Sequence, residues 1–197
     1  MNSQQDTFAS HAVRHCITYI GDDCKRPGLI ETPRRVVESW KELYSGYGQE
    51  HSIKDWMTTF DDIKADEMIL LKNVEFYSTC EHHMLPFFGK AHIAYIPNNQ
   101  SIGSNKPRVV GISKLARLLE VFARRLQCQE RICKQVTDAL MEHLQPLGAA
   151  CVIEAKHLCI CSRGVSKQNS VMVTSSLTGC FKVDGKVRSE LFSLIKD

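Results

Sequence analysis

No apolar run in this chain of 197 residues is long enough to cross a bilayer, and no basic stretch followed by an apolar one opens it. Neither a membrane span, a membrane partner nor a secretory leader is therefore expected. There is no internal repeat at a solenoid period and no low-complexity tract, which excludes repeat arrays and long disordered tails. Net charge is only +3, too little to argue for a nucleic-acid partner. Without a leader, the nine cysteines do not read as a disulfide framework. Reduced thiols in a cytoplasmic protein are the expectation, most of them packed as small hydrophobes. The remaining composition, 43% hydrophobic and 24% charged, is that of a globular protein. The length suits one compact domain or a domain with an appendage.

Patterning gives the element order. Asp6 or Thr7 is placed to cap a first helix whose stripe is Val13, Cys16, Ile17 and Ile20, ending at Gly21. Thr32 as N-cap and Pro33 at the first helical position open a second, with Val36, Val37, Trp40, Leu43 and Tyr44 on its apolar face. A short helix is expected within 52–60. From Met68 the period shifts, and 68–76 and 89–96 read as strands. Residues 97–110 are rich in Pro, Asn and Gly and read as a loop. Ser113 is expected to cap a helix with Leu115, Leu118, Leu119, Phe122 and Leu126 inward. A second follows Gln127 and runs to about Leu144, with Ile132, Val136, Ala139 and Leu140 inward. Residues 149–161 and 171–181 read as paired strands, and a helix over about 186–195 closes the chain. This order is α+β: an antiparallel sheet with segregated helices. The expected division is an N-terminal helical region, 1–66, and a sheet domain, 67–197.

Between the first two strands stand Cys80-Glu81-His82-His83. A C-x-x-H pair puts a thiolate and an imidazole within reach of one ion, and zinc favours such ligands. A catalytic zinc takes three protein ligands and keeps the fourth position for water, whose pKa it lowers to near 7. The third ligand must come from elsewhere, and His157-Leu158-Cys159-Ile160-Cys161 is the candidate. On an extended strand His157 and Cys159 share a face about 7 Å apart along it. By the same alternation Cys161 is an alternative to Cys159, and a closed structural site using both cysteines is a further one. His82 and His157 would then be acid–base groups beside the metal. Ser113-Lys114-Leu115-Ala116-Arg117, at a helix start, offers N–H groups and two cations to a phosphate. Arg163 and Arg35 are further cations. Glu130, in Gln129-Glu130-Arg131, has a carboxylate suited to the N1–H and 2-amino group of a guanine.

Taken together these stretches resemble GTP cyclohydrolase I. The resemblance rests on Gly28-Leu29-Ile30-Glu31-Thr32-Pro33-Arg34-Arg35-Val36, Ser78-Thr79-Cys80-Glu81-His82-His83, Phe88-Gly89-Lys90 and Ala94-Tyr95-Ile96-Pro97. It continues through Ile112-Ser113-Lys114-Leu115-Ala116-Arg117, Arg125-Leu126-Gln127-Cys128-Gln129-Glu130-Arg131, His157-Leu158-Cys159, Arg163-Gly164-Val165, and Thr174-Ser175 with Gly179. These motifs run in the family's order from about residue 28 to the end.

The resemblance implies a tunnelling fold: an antiparallel sheet with helices on one side and a helical N-terminal extension. It implies Zn2+ on Cys80, His83 and Cys159, with His82 and His157 moving protons. Ser113 would meet the ribose. Lys114, Arg117, Arg163 and Arg35 would hold the triphosphate, and Gln129 and Glu130 would recognise guanine. The implied reaction opens the guanine ring of GTP at C8, releases formate, and gives 7,8-dihydroneopterin triphosphate after an Amadori rearrangement. That is a first step of pterin and folate-type biosynthesis. The implied assembly is a homodecamer of two pentamers with active sites between subunits. Three departures stand out: the long loop Gln100 to Val110, Glu38 where many members have Lys, and Met172 where Thr is common. Two other readings exist: a tunnelling-fold deazaguanine nitrile reductase, which needs no metal, and a non-catalytic zinc module that binds nucleotide.

Overall fold

The structure is a computed structural model that describes residues 3–60, 63, 65–98 and 109–196. The loop expected over Gln100 to Val110 falls outside these, except for its last two residues. The chain divides into two compact units, Met1–Ser45 and Gly46–Asp197.

The first unit packs helix α1 (Ser3–Tyr19) against α2 (Thr32–Leu43), burying Val13, Ile17 and Val37. Of the stripe expected on α1, Cys16 and Ile20 stay exposed. The helix begins at Ser3, so Thr7 lies inside it and its hydroxyl donates back to the Ser3 carbonyl at 2.9 Å. Thr32 is likewise a helical residue rather than the cap, a position that falls to Glu31.

The second unit starts with a 3-10 turn over Glu50–Ser52 and the helical turn α3 (Ile53–Trp56). Ile53 and Met57 are buried in the same core as the sheet. Ile53 and Met57, which the expected division put in the helical region, thus pack with the sheet. A two-stranded ribbon pairs β1 (Thr59–Phe60) with β4 (Val109–Val110). The main sheet contains β2 (Ile69–Cys80), β3 (Pro86–Ile96), β5 (Leu126–Gln127), β6 (Gly148–His157) and β7 (Met172–Leu177), in the order β5-β2-β3-β6-β7. The pairs β2–β3, β3–β6 and β6–β7 are antiparallel, and β5 runs parallel to the end of β2.

Alternation decides what each face does. Phe76, Phe87, Ala91, Ile93, Tyr95, Cys151 and Ile153 face α4 (Ile112–Ala123) and α5 (Gln129–Leu144). These two helices bring Leu115, Leu118, Leu119, Ile132, Val136 and Leu140 to that core, all wholly buried. Each such side chain contributes about 1.5–3 kcal/mol of transfer free energy. The intervening residues Ala94 and Ala150 face the other way. There Phe181 of α7 (Cys180–Val183) and Leu191 of α8 (Gly185–Lys196) cover one end of the sheet. The long helices α4 and α5 thus lie on one side of an antiparallel sheet, the α+β arrangement expected. At Gly89 an added Cβ would stand 1.9 Å from the Glu154 carbonyl oxygen, so the close β3–β6 approach that carries the site requires glycine there.

Both ends of α4 differ from expectation. The N-cap of α4 is Gly111, and Ser113 is exposed in the first turn. Leu126 belongs not to α4 but to β5, because the chain must turn back to pair Thr79 with Leu126 and Cys80 with Gln127.

Candidate metal centre

Strand β2 delivers Cys80 to the end of the sheet, and the chain then folds back on itself. The Cys80 N–H donates to the Leu85 carbonyl at 2.9 Å, and the Cys80 carbonyl accepts from the Met84 N–H at 2.8 Å. Met84 takes the left-handed conformation, φ 53°, that closes so tight a turn. Within it the His83 Nδ1 lies 3.8 Å from the Cys80 Sγ.

The third donor arrives by a route that alternation did not foresee. Strand β6 ends at His157, and Leu158–Cys161 is a helical turn, α6. Two residues on a helix differ by about 200° in direction, so Cys159 and Cys161 part company. Cys159 is buried and joins Cys80 and His83, with all three ligand atoms within 4.8 Å of one another. Cys161 instead places its Sγ 4.0 Å from the Gln168 carbonyl. The shared face expected for Cys159 and Cys161 does not exist.

The donor set fits zinc. Bonds of about 2.3 Å to sulfur and 2.0 Å to nitrogen hold tetrahedral donors roughly 3.5–3.8 Å apart, the separation seen between Cys80 and His83. Burial and the neighbouring Cys80 sulfur both push the Cys159 thiol above the ordinary cysteine range. Two sulfurs pressed together out of water are relieved by a divalent cation. Among the described residues the cluster offers three donors, which leaves a tetrahedral ion one free position.

The surroundings hold the turn in place. The Arg131 guanidinium grips both oxygens of Glu81, one of them at 2.9 Å, and so holds that carboxyl below the usual glutamate range. The Glu81 N–H donates to the Gln127 carbonyl at 3.0 Å. Buried Gln127 is fixed in turn through Phe122 and Gln135. Glu81 therefore clamps the ligand turn to β5 and α5, a role that residue pattern alone did not reveal. Partners fifty positions apart leave no local signal, although both lie inside quoted motifs.

His82 is exposed beside the cluster, its Nδ1 3.9 Å from the Cys80 Sγ. His157 stacks flat on Phe87, with ring centroids 4.4 Å apart and 4° between planes. Phe87 is another residue the sequence did not single out; only its place on the inward face of β3 hints at it. Burial holds the His157 imidazole below the ordinary histidine range, and the Glu130 carboxylate pulls the other way. Glu130 is exposed in the first turn of α5. Gln129 beside it is fully buried. Its amide is consumed inside the protein, by His157, Ile153, Met172 and Thr174. It does not have the open edge that reading a guanine would need.

Of the anion-binding candidates in the second unit, only Arg163 lies near the cluster. Helix α4 ends where β5 joins Cys80, so Ser113, ten residues earlier, is about 15 Å up the helix axis. Among the described residues no side-chain bond or ring contact joins Ser113, Lys114 or Arg117 to the metal cluster. Arg163 is exposed just after α6, and its charge is felt at Cys159. Arg35 belongs to the first unit.

The family model for GTP cyclohydrolase I matches residues 9–196. The GTP cyclohydrolase 1 of Wolinella succinogenes is 55% identical over 184 residues, which are 93% of this chain and 94% of that protein. The GTP cyclohydrolase 1 of Clostridioides difficile is 46% identical over 196 residues, 99% of this chain and 98% of that one. Among solved structures, apo archaeosine synthase QueF-Like aligns with 59% of this chain and 97% of its own, at 11% identity and a TM-score of 0.44.

Proposed function

This chain belongs to the GTP cyclohydrolase I family, and from that premise we infer that it hydrolyses GTP to 7,8-dihydroneopterin triphosphate and formate. The observation that carries this reading to particular residues is the cluster of Cys80, His83 and Cys159. We propose that these three hold zinc, whose Lewis acidity makes a water nucleophilic near neutral pH.

The rest falls to the protein's own side chains. His82 and His157 flank the cluster and serve as proton carriers during opening of the imidazole ring and loss of formate. The lowered affinity of His157 for a proton, caused by burial, suits a group that must give its proton up near neutrality. Glu130 accepts from N1–H and the 2-amino group of guanine, and the reach of its charge to the His157 ring supports that role. Ser113 takes the ribose; Lys114, Arg117, Arg163 and Arg35 take the triphosphate.

Among the described residues Ser113, Lys114 and Arg117 make no side-chain bond to the cluster of their own chain. That separation supports active sites built between subunits, with one protomer's α4 start completing its neighbour's site. The edge strand β7 supports the same reading, because Val173 is 60% exposed on it and its outer backbone groups await a partner strand. The assembly we propose is the homodecamer of two pentamers. A reducing cytoplasm suits the nine free cysteines, and no helix among the described residues is long and apolar enough to cross a membrane.

The test is turnover. Zinc-replete protein given GTP should release one formate per GTP and yield a product that fluoresces as neopterin after oxidation. A chelator should stop both, and added zinc should restore them. Binding of GTP by metal-replete protein with no formate released would make this a binding module instead.

A further inference from the structure

The amide of Gln129 can face only one way. Its Nε2 lies 2.9 Å from the Ile153 carbonyl and 3.0 Å from the Met172 carbonyl, and both of these can only accept. The Thr174 hydroxyl stands 3.0 Å from the same nitrogen. Turning the amide over would set its oxygen against two carbonyl oxygens in a fully buried place, a repulsion that one hydrogen bond from the Thr174 hydroxyl would not offset. The Oε1 therefore faces His157, whose Nε2 is 2.8 Å away. An amide oxygen accepts, so that ring nitrogen must carry the hydrogen. Phe87, stacked flat on the ring, holds the plane of the imidazole.

We propose that Gln129 is a positioning residue that fixes the hydrogen of neutral His157 on Nε2 and leaves Nδ1 as the nitrogen that exchanges protons with the substrate. This rests on the proton-transfer role proposed for His157 and deepens it. The same amide spans α5, β6 and β7, so the helix start and the end of the β6–β7 ladder set the angle of the ring together. Gln129 thus acts on the base of the substrate through His157, while its neighbour Glu130 touches that base directly.

The ring nitrogens report this without any turnover. In zinc-loaded protein labelled with 15N-histidine, His157 is assigned by its absence from His157→Ala. Its neutral form should show a protonated Nε2 and a bare Nδ1. A protonated Nδ1 would overturn the proposal. In Gln129→Met, which keeps side-chain length but neither accepts nor donates there, the fixed pattern should give way to a mixture of both neutral forms. Its kcat should fall about 10- to 100-fold, the usual effect of losing a histidine's orienting partner, with zinc content kept and KM for GTP little changed. A raised KM at unchanged kcat would mean Gln129 serves binding and not His157, against the proposal. Should His157→Ala turn GTP over at the wild-type rate, the proton-transfer reading itself fails. The nitrogen spectrum would still say which form the ring takes, so the two failures are told apart.

Discussion

Cys159→Ser is expected to empty the zinc site and to lower GTP turnover at least about 1,000-fold, since several kcal/mol of stabilisation at the reacting centre leave with the ion. Cys161→Ser, two residues on, should keep zinc and change turnover by no more than about twofold, as substitutions outside the core and the site do. The contrast comes from backbone geometry. Both cysteines would face the metal if the strand continued, but β6 stops at His157 and the chain coils through Leu158–Cys161. Only Cys159 then reaches Cys80 and His83. Metal analysis and a formate assay on both variants decide it; loss of zinc from Cys161→Ser with Cys159→Ser intact would reverse the assignment.

Glu130→Ala should leave the metal in place and reduce kcat/KM for GTP by about 100- to 1,000-fold, equal to roughly 2.7–4 kcal/mol. Two hydrogen bonds from guanine to a charged carboxylate supply that much when each is worth about 1.5–3 kcal/mol. The loss should be smaller with inosine triphosphate, whose base has no 2-amino group. A variant that discriminates the two nucleotides as the wild type does would remove Glu130 from base recognition. Zinc loss in this variant would mean that the residue supports the ligand turn instead.

Much of this site could be read before any coordinates, and the reason is chemical. Metal ligation needs Cys and His at tight spacing, so Cys80 and His83 stand out as candidates, while Cys159 and Cys161 were both open as the third donor. The inward faces of α4 and α5 were equally plain, because Leu115, Leu118, Leu119, Ile132, Val136 and Leu140 repeat at the helical period and all are buried. Other features depended on contacts that no local pattern encodes. Strand β6 runs two residues past its last pair with β7 and ends on its last pair with β3, His157 with Phe87, a stop that no local pattern marks, so the fates of Cys159 and Cys161 were not separable by alternation. The Glu81–Arg131 clamp joins residues fifty positions apart. The resemblance paired Gln129 with Glu130 at the base. One residue along a helix turns the side chain by about 100°, which sends Gln129 into the protein and leaves Glu130 at the surface. Ser113 resembled a cap by type, but the chain enters α4 at Gly111 and leaves the serine hydroxyl in the exposed first turn.

A zinc-edge X-ray absorption spectrum of the purified, zinc-loaded protein addresses the metal assignment without passing through activity. Two sulfurs at about 2.3 Å, one imidazole nitrogen and one further light atom at about 2.0–2.1 Å are expected. Three sulfurs, or two sulfurs with two imidazoles, would close the fourth position and contradict the mechanism.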